Sequence, residues 1–245
     1  KKYQTRSQRL YYQFVSGREK KSITHADAVC CVSNFVAQYL EKIYGFSDGK
    51  VIYNGIDLDF FTPKDDSLKD KWENNNDICT LFFAGNQRIM KGYDLLPKIM
   101  KELGEGFQLK IATGLRSKNK TINQDHIHEL GLINPNNMPN IYRSAEIYLF
   151  PSRLEGFGLS VAEAMACGKP VIATNCSSLP ELVIDGKGGF LCEMDNIKDF
   201  AESVRIIAED ASLRREMGRF NRERAIKNFS LDRMVNEYVK VYKNL

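Results

Sequence analysis

The apolar residues of the chain fall into two patterns: short unbroken runs, and longer stretches repeating every three to four positions. Unbroken runs bounded by turn residues read as buried strands, and the repeating stretches as amphipathic helices. Ala26–Val32, Lys50–Tyr53, Cys79–Ala84, Phe107–Ala112, Ile147–Phe150 and Val171–Ala173 are of the first kind. Ser33 to about Tyr44, the run from Asp94 to Gly104, Met138–Ala145, Leu159–Ala166, Asn196–Ala211, Ser212–Asn228 and Leu231–Lys243 are of the second. Ser33 and Ser230 stand where helix N-caps are expected, and Gly45, Gly104 and Gly168 where helices close. Met234, Val235, Tyr238 and Val241 are expected on the inner side of the last helix. Between Thr113 and Leu130 the sequence is polar and weakly patterned, so it receives no element. Strands alternating with helices predict an α/β fold with a parallel sheet and right-handed crossovers.

Composition narrows this picture modestly. At 245 residues the chain has room for one large domain or two small ones. No apolar run approaches the ~20 residues of a membrane-spanning helix. The chain starts with Lys1, and no signal peptide is visible. Its six cysteines (30, 31, 79, 167, 176 and 192) lack metal-type spacing and sit in apolar settings, which predicts reduced core thiols and a cytoplasmic protein. Cys30 and Cys31 are expected on opposite faces of one strand. The net charge of +4 is uneven, because residues 1–24 hold seven Lys or Arg and one Glu. Leu10, Tyr11 and Phe14 share one face of a helix predicted there. A domain helix with a solvated basic side is the first expectation, and contact with anionic lipid the second. The charge pattern gives no nucleic-acid partner.

The chemistry concentrates between Ile147 and Asn175, IYLFPSRLEGFGLSVAEAMACGKPVIATN. This stretch reads as strand, glycine-bearing loop, helix and strand, a βαβ unit. Gly156, Phe157, Gly158, Leu159 and Ser160 are expected to present backbone N–H groups at the helix N-terminus, a ready anion site. Glu155 and Glu163 flank that site with seven residues between them. Carboxylates repel phosphate, but they accept hydrogen bonds from hydroxyls. A ligand with phosphates and hydroxyls on both sides is a nucleotide sugar.

EGFGLSVAEAMACGKPVIAT resembles the donor-binding signature of the retaining glycosyltransferases of family 4, which have the GT-B fold. The similarity runs from about Ala26 to the C-terminus. It implies that Glu163 holds ribose hydroxyls, that Glu155 contacts the donor sugar, and that the amides of Gly156 through Ser160 serve the diphosphate and sugar. The GNQRIMKG loop at 85–92 follows a strand, where cationic side chains meet phosphates. Lys91 matches the lysine of that family's loop. Asn86 stands where an arginine is common, so Arg88 is the candidate substitute, and Gly85 joins the expected substrate-binding set.

NGIDLDFFTP (54–63) resembles the crossover between the two GT-B domains, yet only some sixty residues precede it. The expected organisation is therefore a remnant of the N-terminal α/β domain over 1–60, a Rossmann-like nucleotide-sugar-binding domain over 61–229, and a C-terminal helix over 230–245 that packs back across the boundary. Asp57-Leu58-Asp59 is a DxD triplet of the kind that marks metal-dependent transferases of the other major fold. A turn and capping role is the better reading here. His126 and His128 lack a third ligand, and Glu181 is expected to cap or orient its own short helix.

The resemblance implies transfer of a sugar from a nucleotide diphosphate-sugar, with retention, to a glycan or lipid-linked acceptor. No metal or other cofactor is expected. Peripheral contact with the inner face of the membrane, and a missing N-terminal half or subunit, complete the expected partners. Three alternatives stay open: a non-catalytic nucleotide-sugar-binding module, a GT-B-type sugar-nucleotide epimerase, and half of a two-chain transferase.

Overall fold

The computed structural model describes residues 17–63, 78–114, 122 and 124–245. The predicted face of Leu10, Tyr11 and Phe14 lies outside the described residues. Among the described residues two sheets are present, both parallel. The smaller pairs β1 (Cys30–Cys31) with β2 (Lys50–Val51), in the register Cys30↔Lys50 and Cys31↔Val51. Between them runs α1 (Asn34–Tyr44), capped by the Ser33 side chain and closed by Gly45 in the left-handed conformation. Both strands are shorter than the apolar runs predict, because only two residues of each find a strand partner. Cys30 is half-buried and Cys31 buried, as two faces of one strand require, and all six cysteines are free thiols.

The larger sheet has six strands: β3 (Cys79–Ala84), β4 (Phe107–Ala112), β5 (Ile127–Gly131), β6 (Ile147–Phe150), β7 (Val171–Thr174) and β8 (Gly189–Cys192). Their order is β5-β4-β3-β6-β7-β8, the doubly wound order in which ligands lie beyond the strand C-termini where the winding reverses. Here the reversal falls between β3 and β6, which pair through Leu81↔Ile147 and Phe82↔Tyr148. Every residue of β6 and β7 is buried, so both faces of the sheet are covered.

The covering helices are α2 (Leu96–Leu103), α3 (Met138–Arg143), α4 (Leu159–Ala166), α5 (Leu179–Leu182), α6 (Ile197–Glu209) and α7 (Ala211–Asn228). α2 packs with α6, and α4 with α7. The break between α6 and α7 falls at Asp210, whose carboxylate accepts from Ser212 N and Leu213 N and so starts the second helix. β5 was not predicted. Its Ile127 alone is fully buried while His128 is exposed, as befits an edge strand, so the sequence shows no continuous apolar run there.

α8 (Leu231–Tyr242) closes the chain, capped by Ser230. Ser230 bridges Ile56, Leu231 N donates to Ile56 O at 3.1 Å, and Arg233 donates to Tyr53 O at 2.7 Å. The helix therefore packs onto the crossover segment. Val235 departs from the expected inner face: it is 48% exposed, whereas Val241 is buried. Met234 and Tyr238 are half-buried, so the expected inner face is only partly covered.

Candidate donor-binding site

β3 ends at Ala84 and leads into a single 3-10 turn, Ile89–Lys91, closed by Gly92. Gly92 has φ +71°, and a Cβ there would lie 1.9 Å from Pro151 O. Only glycine allows this loop to lie so close to the end of β6. The contact continues through Met90 O, which accepts from Arg153 N at 2.8 Å and from Ser152 Oγ at 3.1 Å. Arg153, with its side chain 4% exposed, spans the junction. Its guanidinium donates in bidentate fashion to Asp94 (2.7 and 2.9 Å), to Asp195 (2.6 Å) and to Ile89 O. Asp94, expected to begin a helix, thus serves Arg153, and α2 begins two residues later.

Docked in this way, the turn aims Lys91 inward. Its Nζ lies 2.6 Å from Glu155 Oε1 and 5.7 Å from the centre of the Phe150 ring. Arg88 does not follow it. It precedes the turn in extended conformation and its side chain is exposed, away from the pocket wall. Gly85 also lies off the wall, at the end of β3, where its N–H donates to Ala112 O at 3.0 Å.

Glu155 is 8% exposed and accepts from Ser152 Oγ at 2.6 Å. The loop around it is pinned from behind. Glu155 N donates to Ser177 Oγ at 3.0 Å, and Ser178 Oγ donates to the carbonyls of Glu155 (3.1 Å) and Phe157 (2.9 Å). Ser33 Oγ donates to Gly156 O at 2.6 Å, so the N-terminal part of the chain also holds this loop. Gly156 itself faces solvent, while Phe157 is buried against the rings of Tyr53 and Phe229.

Gly158, at φ +103°, caps α4. Gly158, Leu159 and Ser160 form one wall of the pocket, where the first N–H groups of the helix have no intrahelical partner. Glu163, a turn farther along α4, accepts from the hydroxyl of the fully buried Tyr142 at 2.7 Å. Burial pushes the Glu163 carboxyl above the usual carboxylate range, opposed by the Tyr142 hydrogen bond.

The cavity enclosed by Lys91, Glu155, the start of α4 and Glu163 measures about 400 Å³. Val32 and Asn54, from the N-terminal part, complete its wall. Sequence reasoning missed Arg153, Ser152, Ser177, Ser178, Tyr142 and Asn54. The serine pair after β7 was the one local signal available.

The weaker motifs take structural roles. Asp57 Oδ1 accepts from the N–H groups of Asp59 (3.1 Å) and Phe60 (2.9 Å), a turn contact. His126 and His128 are exposed, and among the described residues no three His, Cys, Asp or Glu side chains gather to hold a metal. Glu181 does not cap its own helix. Its carboxylate reaches across to the N-terminus of α1, accepting from Asn34 N and Phe35 N at 2.8 Å each. Among the described residues no helix is long and apolar enough to cross a membrane.

Comparison with known proteins bears on the family and the fold. Residues 64–224 match the profile of "Glycosyl transferases group 1", and residues 1–60 that of "Glycosyltransferase Family 4". An uncharacterized glycosyltransferase of Methanocaldococcus jannaschii is 31% identical over 92% of this chain and 62% of its own length. Sucrose-phosphate synthase from Thermosynechococcus elongatus shares the fold at TM-score 0.82 and 24% identity, over 92% of this chain and 60% of that one. Anabaena HepE, solved in complex with UDP and glucose, does so at TM-score 0.81 and 19% identity, over 91% and 65%. The chain thus spans about 60% of the length of these relatives. With a doubly wound parallel sheet and a profile match over most of its length, the chain belongs to the glycosyl transferases group 1 family, with the GT-B fold and a likeness to family 4.

Proposed function

We propose that this chain carries the donor half of a retaining glycosyltransferase that uses a nucleotide diphosphate-sugar and transfers to a glycan or lipid-linked acceptor. The observation that carries the reading is the convergence on one cavity of a lysine, two carboxylates of different environment and a helix N-terminus. The leaving diphosphate gathers negative charge as the bond to the anomeric carbon breaks. Lys91 and the first amides of α4 supply preorganised positive potential for it, without a metal. Glu155, held by Lys91 and Ser152, orients the donor sugar through its hydroxyls. The Glu163 carboxylate accepts from the ribose. The acceptor hydroxyl attacks from the leaving-group side, which preserves the anomeric configuration. The reading keeps the chain on the cytoplasmic side.

Because the chain spans about 60% of its relatives, a second reading is a donor-binding module that turns over only with the remaining part. Calorimetric titration with UDP, GDP and ADP, without metal and then with magnesium, tests the donor site. One nucleotide binds without metal, and Lys91→Ala and Glu163→Ala each weaken it about 10-fold or more, the scale of a lost hydrogen bond to a charged group. Binding that strictly requires magnesium contradicts the metal-free mechanism, and no binding by the folded chain sinks the donor-site assignment.

A further inference from the structure

The segment 177–181 makes two sets of contacts that face in opposite directions. Toward the donor loop, Ser177 and Ser178 hold the backbone of Glu155 and Phe157. To reach this position Ser177 adopts φ +51°, a conformation that non-glycine residues rarely take. Toward the N-terminal part, both oxygens of Glu181 are engaged. Oε1 accepts from Phe35 N at 2.8 Å; Oε2 accepts from Asn34 N at 2.8 Å, Asn34 Nδ2 at 2.9 Å and the Tyr53 hydroxyl at 2.9 Å. The segment itself is fastened from behind by Arg224, which donates to the carbonyls of Glu181 (2.7 Å) and Leu182 (2.8 Å).

We infer that Glu181 is a positioning residue that couples the donor pocket to the docking of the N-terminal part, an inference that rests on the donor-site reading above. The carboxylate supplies α1 with the acceptors its first N–H groups lack, and its charge complements the positive end of the helix. Docked by this cap, α1 keeps Ser33 on Gly156 O, and Val32 and Asn54 on the pocket wall. A ligand that fills the pocket gains the contacts of Val32 and Asn54 only in this docked arrangement. Ligand binding therefore stabilises the docking, and docking tightens the ligand by the same factor. Glu181 reaches the ligand through α1 and the donor loop, never directly.

Amide exchange of residues 34–44, read with and without saturating UDP, separates this coupling from a merely structural cap. In the wild-type chain UDP slows exchange across 34–44. In Glu181→Gln, which keeps the size but turns one acceptor oxygen into an amide donor facing N–H groups, that slowing disappears. The Kd for UDP in this variant rises about 10-fold, the scale of a lost charge-assisted hydrogen bond, while the amides of β6 stay as protected as before. Equal Kd in Glu181→Gln and wild type, or 34–44 exchange in the wild type indifferent to UDP, overturns the coupling and leaves the donor site standing. Failure of the wild type to bind UDP, GDP or ADP overturns the donor site and the coupling together. Should Glu181→Gln not fold, Tyr53→Phe and Asn34→Ala each remove a donor to Oε2. Both then weaken UDP by a smaller factor, and unchanged affinity in both overturns the proposal.

Discussion

At the scale of single residues, Glu163 offers the sharpest titration. Burial raises its carboxyl above the ordinary value near ~4.3. The folded chain therefore holds this proton to higher pH than the unfolded chain. The resulting stability is fully present below the unfolded value and is lost as pH rises through the raised native one. Nucleotide binding runs the opposite way, because a carboxylate accepts charge-assisted bonds on both oxygens, whereas protonation removes the charge and turns one oxygen into a donor. UDP affinity is expected to rise with pH across the window above ~4.3, and Glu163→Gln to flatten that profile; calorimetry at a series of pH values reads it directly. A profile unchanged by the substitution removes Glu163 from the ligand. The two glutamates and Lys91 were legible as candidates because each sits at a fixed offset from a strand end or a helix start, and one cavity gathers them. Arg153 and Glu181 were not. Their partners lie 42 and 147 positions away in the chain, at distances where local pattern carries no signal. Arg88 lies off the cavity wall: its spacing from Lys91 fits one turn, but it caps that turn in extended conformation.

At the scale of elements, the 3-10 turn and the end of β6 act as one rigid unit. Gly92 sets their separation, so Gly92→Ala meets both a left-handed backbone and a Cβ driven into Pro151 O. The backbone conformation alone costs about 1–2 kcal/mol. Denaturant unfolding is expected to show a loss of at least ~2 kcal/mol, with Lys91 displaced and UDP binding weakened. Wild-type stability in this variant contradicts the rigid-unit account. Most elements were readable from apolar runs, since β3, β6 and β7 are buried on both faces and leave unbroken hydrophobic sequence. The edge strand β5 was not, because a half-covered strand alternates with polar residues and resembles a loop. The β1 and β2 runs were overextended, since apolar character does not guarantee a pairing partner.

At the scale of the molecule, the crossover and the last helix form a single fastening. Ile56 N donates to Phe229 O at 2.7 Å and its carbonyl accepts from Leu231 N, so residues on either side of Ser230 pair with it like a strand. Gly55 fits only because its missing Cβ would meet Leu231 Cα at 2.6 Å. Removing residues 230–245 is expected to speed amide exchange across 50–56 by about 10-fold, as that segment joins the low-stability end of the fold. Unchanged exchange there shows that the sheet, not α8, holds the crossover. The fastening also sets a schedule for biosynthesis. Tyr53 leaves the ribosome 180 positions ahead of Arg233, a delay of roughly 10–40 s at ordinary translation speed. Through that interval β1, β2 and α1 lack the last helix, and for the first part of it they also lack the donor loop that Ser33 binds. Nascent chains are therefore most exposed to chaperones and proteases along β1, α1 and β2.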